Sequence, residues 1–194
     1  MTPGRQNLLD STQLGLMLER LSQELIENHG DFCKSILIGL QPRGVLMARR
    51  IHRILQNRLR IPAAQIPLGL LDVTFHRDDF RRRQSPLIPS TTHIDFSIEG
   101  QNVILIDDVL FTGRTLRSGL DALLDFGRPA RVELMVLLHR LYCQEFPIRP
   151  DYHGRQVNTM PNQRIHVDWA EECGQDMVTI ETFLPTSSSS STQA

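Results

Sequence analysis

Val103-Ile104-Leu105-Ile106-Asp107-Asp108-Val109-Leu110-Phe111-Thr112-Gly113-Arg114-Thr115-Leu116 decides how this chain is read. Four apolar residues, Val103 to Ile106, predict a strand buried on both faces, as in a parallel sheet. Two carboxylates, Asp107 and Asp108, follow at its C-terminal end, and the turn Thr112-Gly113-Arg114-Thr115 opens a helical pattern. Ligands of open α/β sheets bind beyond the carboxyl ends of the strands. A glycine-containing turn at a helix N-terminus offers free backbone N–H groups to an anion. Carboxylates beside such a cradle would repel a bare phosphate. They suit a ligand that also carries hydroxyls or a divalent metal, and a sugar phosphate meets both demands.

Working outward, Ser11 can cap a helix whose Leu14, Leu18, Leu21 and Leu25 recur at helical spacing, ending near Gly30. Ser35 to Gly39 predicts a buried strand, and Gly44 to Gln56 a helix with Val45, Ala48, Ile51 and Leu55 on one face. A strand is expected over Ile66 to Phe75. Arg77 to Phe96 shows no periodicity, the mark of a functional or mobile loop. A helix from Thr115 to Asp125, a strand from Val132 to Leu138, and short strand-like pieces near Ile165–Val167 and Met177–Ile180 complete the pattern. Strands alternating with helices argue an α/β fold, a parallel sheet flanked by helices.

The Asp-Asp and Thr-Gly-Arg-Thr run resembles the phosphoribosyl-diphosphate (PRPP) signature of type I phosphoribosyltransferases. That resemblance implies that Asp107 and Asp108 hold the ribose hydroxyls and that Thr112, Gly113, Arg114 and Thr115 hold the 5′-phosphate. Ile38-Gly39-Leu40-Gln41-Pro42-Arg43-Gly44-Val45 falls where the family places its pyrophosphate loop. There Arg43 could pair with a phosphate bidentately and Gly44 would let the backbone approach. Type I members often have a cis bond in this loop; before Pro42 a cis bond costs only about 0.5–1 kcal/mol, so Gln41–Pro42 is expected to adopt it. The resemblance also implies a small hood, built from the N-terminal helix and the C-terminal pieces.

Three further blocks, Leu71 to Phe80, Asp125 to Ala130 and Phe146 to Tyr152, are similar to the PyrR family of pyrimidine-operon regulators and uracil phosphoribosyltransferases. The resemblance covers about Leu14 to Ile180. It implies a pentosyltransferase that converts uracil and PRPP to UMP and pyrophosphate, a Mg²⁺ ion carried by substrate rather than by protein side chains, and a homo-oligomer. Arg77 becomes a loop arginine that closes over pyrophosphate and excludes water, and Arg140 a candidate for the nucleobase side. Arg81-Arg82-Arg83 reads as a solvated face, and His29, His52, His93, His153 and His166 as surface or structural residues.

Two alternatives stay open. The PRPP signature says nothing about the base, so another base could be the acceptor. Some PyrR proteins also bind a leader RNA through a basic surface, which here retains Arg149 and Arg155. Against that partner, Glu19 and Gln23 stand where RNA-binding members have neutral hydrogen-bonding or imidazole side chains, and RNA affinity depends on cations that neutralise phosphates. His139-Arg140-Leu141-Tyr142-Cys143-Gln144-Glu145 departs from the family's usual Asp-Arg-Gly-His-Arg-Glu run by an inserted residue.

The 194 residues suit one domain with a sizeable core, expected over 1–184, followed by a Ser-rich tail, 185–194, expected to be disordered. Lys and Arg number 21 against 22 Asp and Glu, so net charge demands neither nucleic acid nor membrane. Cys33, Cys143 and Cys173 are odd in number without metal-ligand spacing, which fits a reducing cytoplasm. No apolar run is long enough for a membrane span.

Overall fold

The computed structural model describes residues 4–76 and 91–183. These fall into two compact units, one of residues 15–158 and one joining the segments before 15 and after 158. Arg77, Asp78, Asp79, Arg81 to Arg83 and the Ser-rich tail lie outside the described residues.

The larger unit is built on a parallel sheet in the order β3-β2-β4-β5-β6, comprising β2 (Ser35–Leu40), β3 (Leu68–Leu71), β4 (Asn102–Leu110), β5 (Arg131–Leu141) and β6 (Tyr152–Asn158). Every residue of β2 is buried, as a central parallel strand requires. Alternate residues feed one core: Ile36, Ile38 and Leu40 of β2, Val103 and Leu105 of β4, Leu134 and Val136 of β5. That core also takes in Leu116, Ala122 and Leu123 of helix α3 (Arg114–Leu123). Helix α2 (Gly44–Leu59) buries Met47, Ala48, Ile51 and Leu55 and contacts β2 and β4. The expected face of α2 is largely right, except that Val45 is half-buried and Met47 takes the buried position.

Several boundaries move. The strand expected over Ile66 to Phe75 is only Leu68–Leu71, because a single helical turn, Thr74–His76, interrupts it where Thr74 N–H and Oγ1–H both donate to the Asp72 carboxylate. The edge of β3 is capped by a bridge to His93, with backbone bonds of 2.8 and 2.9 Å. β4 runs past the acids to Leu110, so Asp107 and Asp108 belong to the strand rather than following it. β5 likewise continues beyond Leu138 and includes Arg140.

Helix α1 (Ser11–His29) is capped by Asp10, not Ser11: Gln13 N–H donates to Asp10 Oδ1 at 2.8 Å and the Gln13 side chain accepts from Asp10 N–H at 3.1 Å. Beyond Leu14 this helix belongs to the larger unit. The smaller unit instead carries β1 (Gly4–Leu9), a strand no apolar run announces. It forms the antiparallel order β1-β8-β7 with β7 (Gln163–Asp168) and β8 (Met177–Thr182), and the one-turn helix α4 (Ala170–Cys173) joins the last two. Arg5 ties β1 down through Thr179 at 2.8 Å and Asp168 at 3.0 Å.

At the end of the main sheet where β2 and β5 begin, a polar cluster is buried. His29 Nδ1 lies 2.9 Å from Ser35 Oγ and its Nε2 3.0 Å from Glu133 Oε2. Tyr152 O–H donates to the same Glu133 oxygen at 2.8 Å, and Arg131 pairs with the other at 2.9 Å. His29 is therefore structural, as expected.

Candidate functional site

The signature residues meet at the carboxyl end of β4. Asp107 is half-buried, and its Oδ1 accepts the Asp108 N–H at 2.9 Å. Asp108 is 3 % exposed. Sequence reasoning set both carboxylates beyond the strand end; the strand instead continues to Leu110 and carries Asp108 into the protein. Burial pushes the Asp108 carboxyl pKa up, opposed by the Arg43 guanidinium and by backbone N–H groups. Arg43 Nη1 stands 3.5 Å from Asp108 Oδ2, joining the two strand-to-helix junctions in one site.

Gly44 has a packing role that the sequence did not announce. A Cβ there would collide with the Ile106 carbonyl oxygen and lie 3.0 Å from Asp107 Cα. The glycine lets α2 start directly against the signature strand, and so sets the distance between the two loops. Gln41–Pro42 is cis, as the reading of Pro42 anticipated.

The Thr112–Thr115 turn borders a cavity of about 120 Å³ that Asp107, Thr112, Gly113, Arg114 and Thr115 all line. Gly113 is the residue before α3 and has φ 86°, a left-handed conformation that favours glycine. Arg114 and Thr115, the first residues of α3, line the cavity at the positive end of the helix dipole, an arrangement suited to an anion. The Arg114 side chain pairs with Glu145. The Arg114 guanidinium is therefore already engaged by a carboxylate at the rim of the turn.

Arg140 sits at the end of β5, 4 % exposed, with its guanidinium carbon 3.9 Å from the centroid of the Phe111 ring. Phe111 directly precedes the phosphate turn, so the strand-end arginine is brought beside the signature. Burial lowers the Arg140 pKa, partly offset by Cys143. Phe111, Gln144, Glu145 and Phe146 are site neighbours that sequence reasoning passed over. For Gln144 and Glu145 the signal that could have found them was the altered run after His139. Arg77 lies outside the described residues.

Among the described residues no group of three or more His, Cys, Asp or Glu could hold a metal ion, and no helix is long and apolar enough to cross a membrane. None of the three cysteines is in a disulfide.

The phosphoribosyl transferase domain model matches residues 4–172. The chain is 42 % identical over 179 residues to a protein of Desulfosudis oleivorans named bifunctional protein PyrR, covering 92 % of this chain and 97 % of that one. It is 39 % identical over 177 residues to the pyrimidine operon regulatory protein of Lactococcus lactis subsp. lactis, covering 91 % and 97 %. Among solved structures, the hypoxanthine phosphoribosyltransferase of Trypanosoma cruzi is similar with a TM-score of 0.67 at 15 % identity, over 92 % of this chain and 97 % of that one. At that identity the structural likeness speaks to the fold alone.

Proposed function

The chain belongs to the phosphoribosyltransferase family and, within it, to the PyrR proteins, and from that membership we propose that it transfers the phosphoribosyl group of PRPP to uracil. The uracil N1–C1′ bond forms as the C1′–O bond to pyrophosphate breaks, and the N1 proton leaves to solvent or pyrophosphate. The observation that carries this reading is the meeting of Asp107, Asp108, Arg43 and the Thr112–Thr115 turn at one strand end.

Asp107 and Asp108 orient the ribose through its hydroxyls, and their field favours the positive charge that develops at C1′ as the leaving group departs. The turn fixes the 5′-phosphate. Arg43 stabilises the departing pyrophosphate, and Arg140 lies on the base side. Little covalent work falls to the protein, so rate enhancement comes from positioning and preorganised charge. Asp107, half-buried beside the cavity, offers the hard oxygen that a substrate-borne Mg²⁺ accepts; the ion would neutralise phosphate charge, with one or two carboxylates at most as protein ligands. Incubating the protein with Mg²⁺, PRPP and each of uracil, cytosine, hypoxanthine and guanine, and separating the nucleotides, tests the proposal. UMP as the main product is expected; a purine nucleotide instead would reassign the base.

The name of one relative carries a second role, regulation of a pyrimidine operon, and the resemblance implies that it runs through a leader RNA. The surface that bears on it is mixed in charge. Arg58 is held by Glu19, at 2.8 and 2.6 Å, and by Gln23 at 3.0 Å. Arg20 and Arg155 line a groove of about 390 Å³ together with Glu24 and Asp151. Filter binding of a pyrimidine leader RNA across a salt series tests this role, with a steep fall in affinity expected if phosphates are neutralised. Sedimentation reads the homo-oligomer that the resemblance implies.

A further inference from the structure

The connection between β5 and β6 is fastened to the phosphate turn at several independent points. The backbone N–H groups of Glu145 and Phe146 both donate to the Thr112 carbonyl oxygen, at 3.0 and 3.3 Å. The Glu145 carboxylate pairs with the Arg114 guanidinium. Gly113 is backed by the same segment: a Cβ there would lie 3.3 Å from Phe146 Cβ and 3.4 Å from Ile148 Cδ1. One turn along α3, the Arg117 guanidinium stands 5.3 Å from the Phe146 ring centroid. The start of the segment is anchored to β5, where Gln144 Nε2 donates to the Ile148 carbonyl at 3.0 Å and to His139 Nε2 at 2.8 Å. His139 is suited to accept that bond, because burial, His153 and Arg149 all disfavour its charged form.

We propose that residues 144–148 form a strap that fixes the conformation of the Thr112–Thr115 turn, with Glu145 as its positioning residue for binding of a ribose 5-phosphate group. Glu145 pairs with the Arg114 guanidinium and so holds the first residue of α3 against the strap. A turn held in its binding conformation before the ligand arrives spends less ordering entropy on binding. Because Gln144 ties the strap to His139, the neighbour of Arg140 in β5, it also links the base side of the site to the phosphate side.

This inference rests on the reading of the turn as the 5′-phosphate site. The test uses the full chain and ribose 5-phosphate as calorimetric probe, with steady-state kinetics beside it. Glu145→Gln should weaken ribose 5-phosphate binding and raise the PRPP KM about three- to fivefold, the scale of one exposed ion pair, while kcat and the uracil KM change less than about twofold. Glu145→Asp, which keeps the charge, should recover part of the loss. Phe146→Leu should shift both values in the same direction and stands in if Glu145→Gln loses its cooperative melt. Equal or tighter ribose 5-phosphate binding by these variants would overturn the strap. Failure of the wild-type protein to bind ribose 5-phosphate would instead remove the phosphate site itself, and the strap with it.

Discussion

Gly44 and Ile106 are in direct backbone contact: a side chain of any size on Gly44 would overlap the Ile106 carbonyl oxygen. The start of α2 and the middle of the signature strand are thereby locked together at the level of main chain. Gly44→Ala should destabilise the protein by about 1–3 kcal/mol, as overpacked cores do. It should also lower turnover, because Arg43 is carried on the displaced residue's neighbour. Urea melts and PRPP kinetics together check this; wild-type values in both would show that the helix start yields without cost.

Asp108 has opposed effects on stability and chemistry. Its folded-state pKa is raised by burial, so the native state binds its proton more tightly than the unfolded chain does. Stability contributed by this group is present at low pH and is lost as pH rises from about 4 through the raised value. Asp108→Asn should therefore equal or exceed wild type in stability at neutral pH, with the advantage shrinking as pH falls toward about 4. The Asp107→Asn, Asp108→Asn pair should lower turnover about a hundredfold or more if the carboxylates hold ribose in the transition state. Denaturation at several pH values and a rate assay read the two effects separately, and full activity in the double variant would remove the central assignment.

The parts of this site that lie within one strand–turn–helix unit were legible in the sequence, because local chemistry specifies them. Val103 to Ile106, the acids and the glycine turn needed no knowledge of the fold. The depth of Asp108 was not legible, since it depends on β5 extending alongside β4 to pair Leu110 with His139. The contact of Glu145 and Phe146 with Thr112 joins residues more than thirty positions apart, and no local pattern announces it. β6 was missed because Tyr-His-Gly-Arg-Gln-Val-Asn carries few apolar residues and alternates poorly: an edge strand with exposed positions needs little hydrophobic signal. The helix faces of α1 and α2 were read almost correctly, because burial there follows a 3.6-residue period.

Tyr152 and Glu133 offer a spectroscopic check on the buried cluster. Burial and the bond to Glu133 push the phenol pKa up, so stability from this group is lost only as pH rises beyond the usual tyrosine range. The chain has two tyrosines, and in a Tyr142→Phe variant Tyr152 alone would report. Its absorbance at 295 nm should stay flat through about pH 11 until the protein unfolds. A reversible titration near pH 10 in the folded state would mean that the Tyr152–Glu133 bond does not form. Glu133→Ala, which leaves His29 and Tyr152 buried without this partner, should cost about 3–5 kcal/mol in denaturant melts.

Arg43 gives the sharpest separation of the two loops' roles. Its side chain is 60 % exposed while that of Asp108, 3.5 Å away, is 4 % exposed, so the arginine can turn toward pyrophosphate at small desolvation cost. While it faces Asp108 it lowers that carboxyl's pKa. Arg43→Gln removes the opposing charge, and the Asp108 pKa must then rise further. If ionised Asp108 is needed to receive a ribose hydroxyl, the acid limb of kcat/KM against pH moves to higher pH in Arg43→Gln, and part of the lost rate returns as pH is raised. Product inhibition by pyrophosphate should weaken about tenfold or more at every pH, the scale of one charge-assisted bond. Arg43→Lys keeps the charge without the fork, so its acid limb should stay near the wild-type position while its pyrophosphate affinity still falls. An unmoved acid limb in Arg43→Gln would show that the arginine acts on pyrophosphate alone.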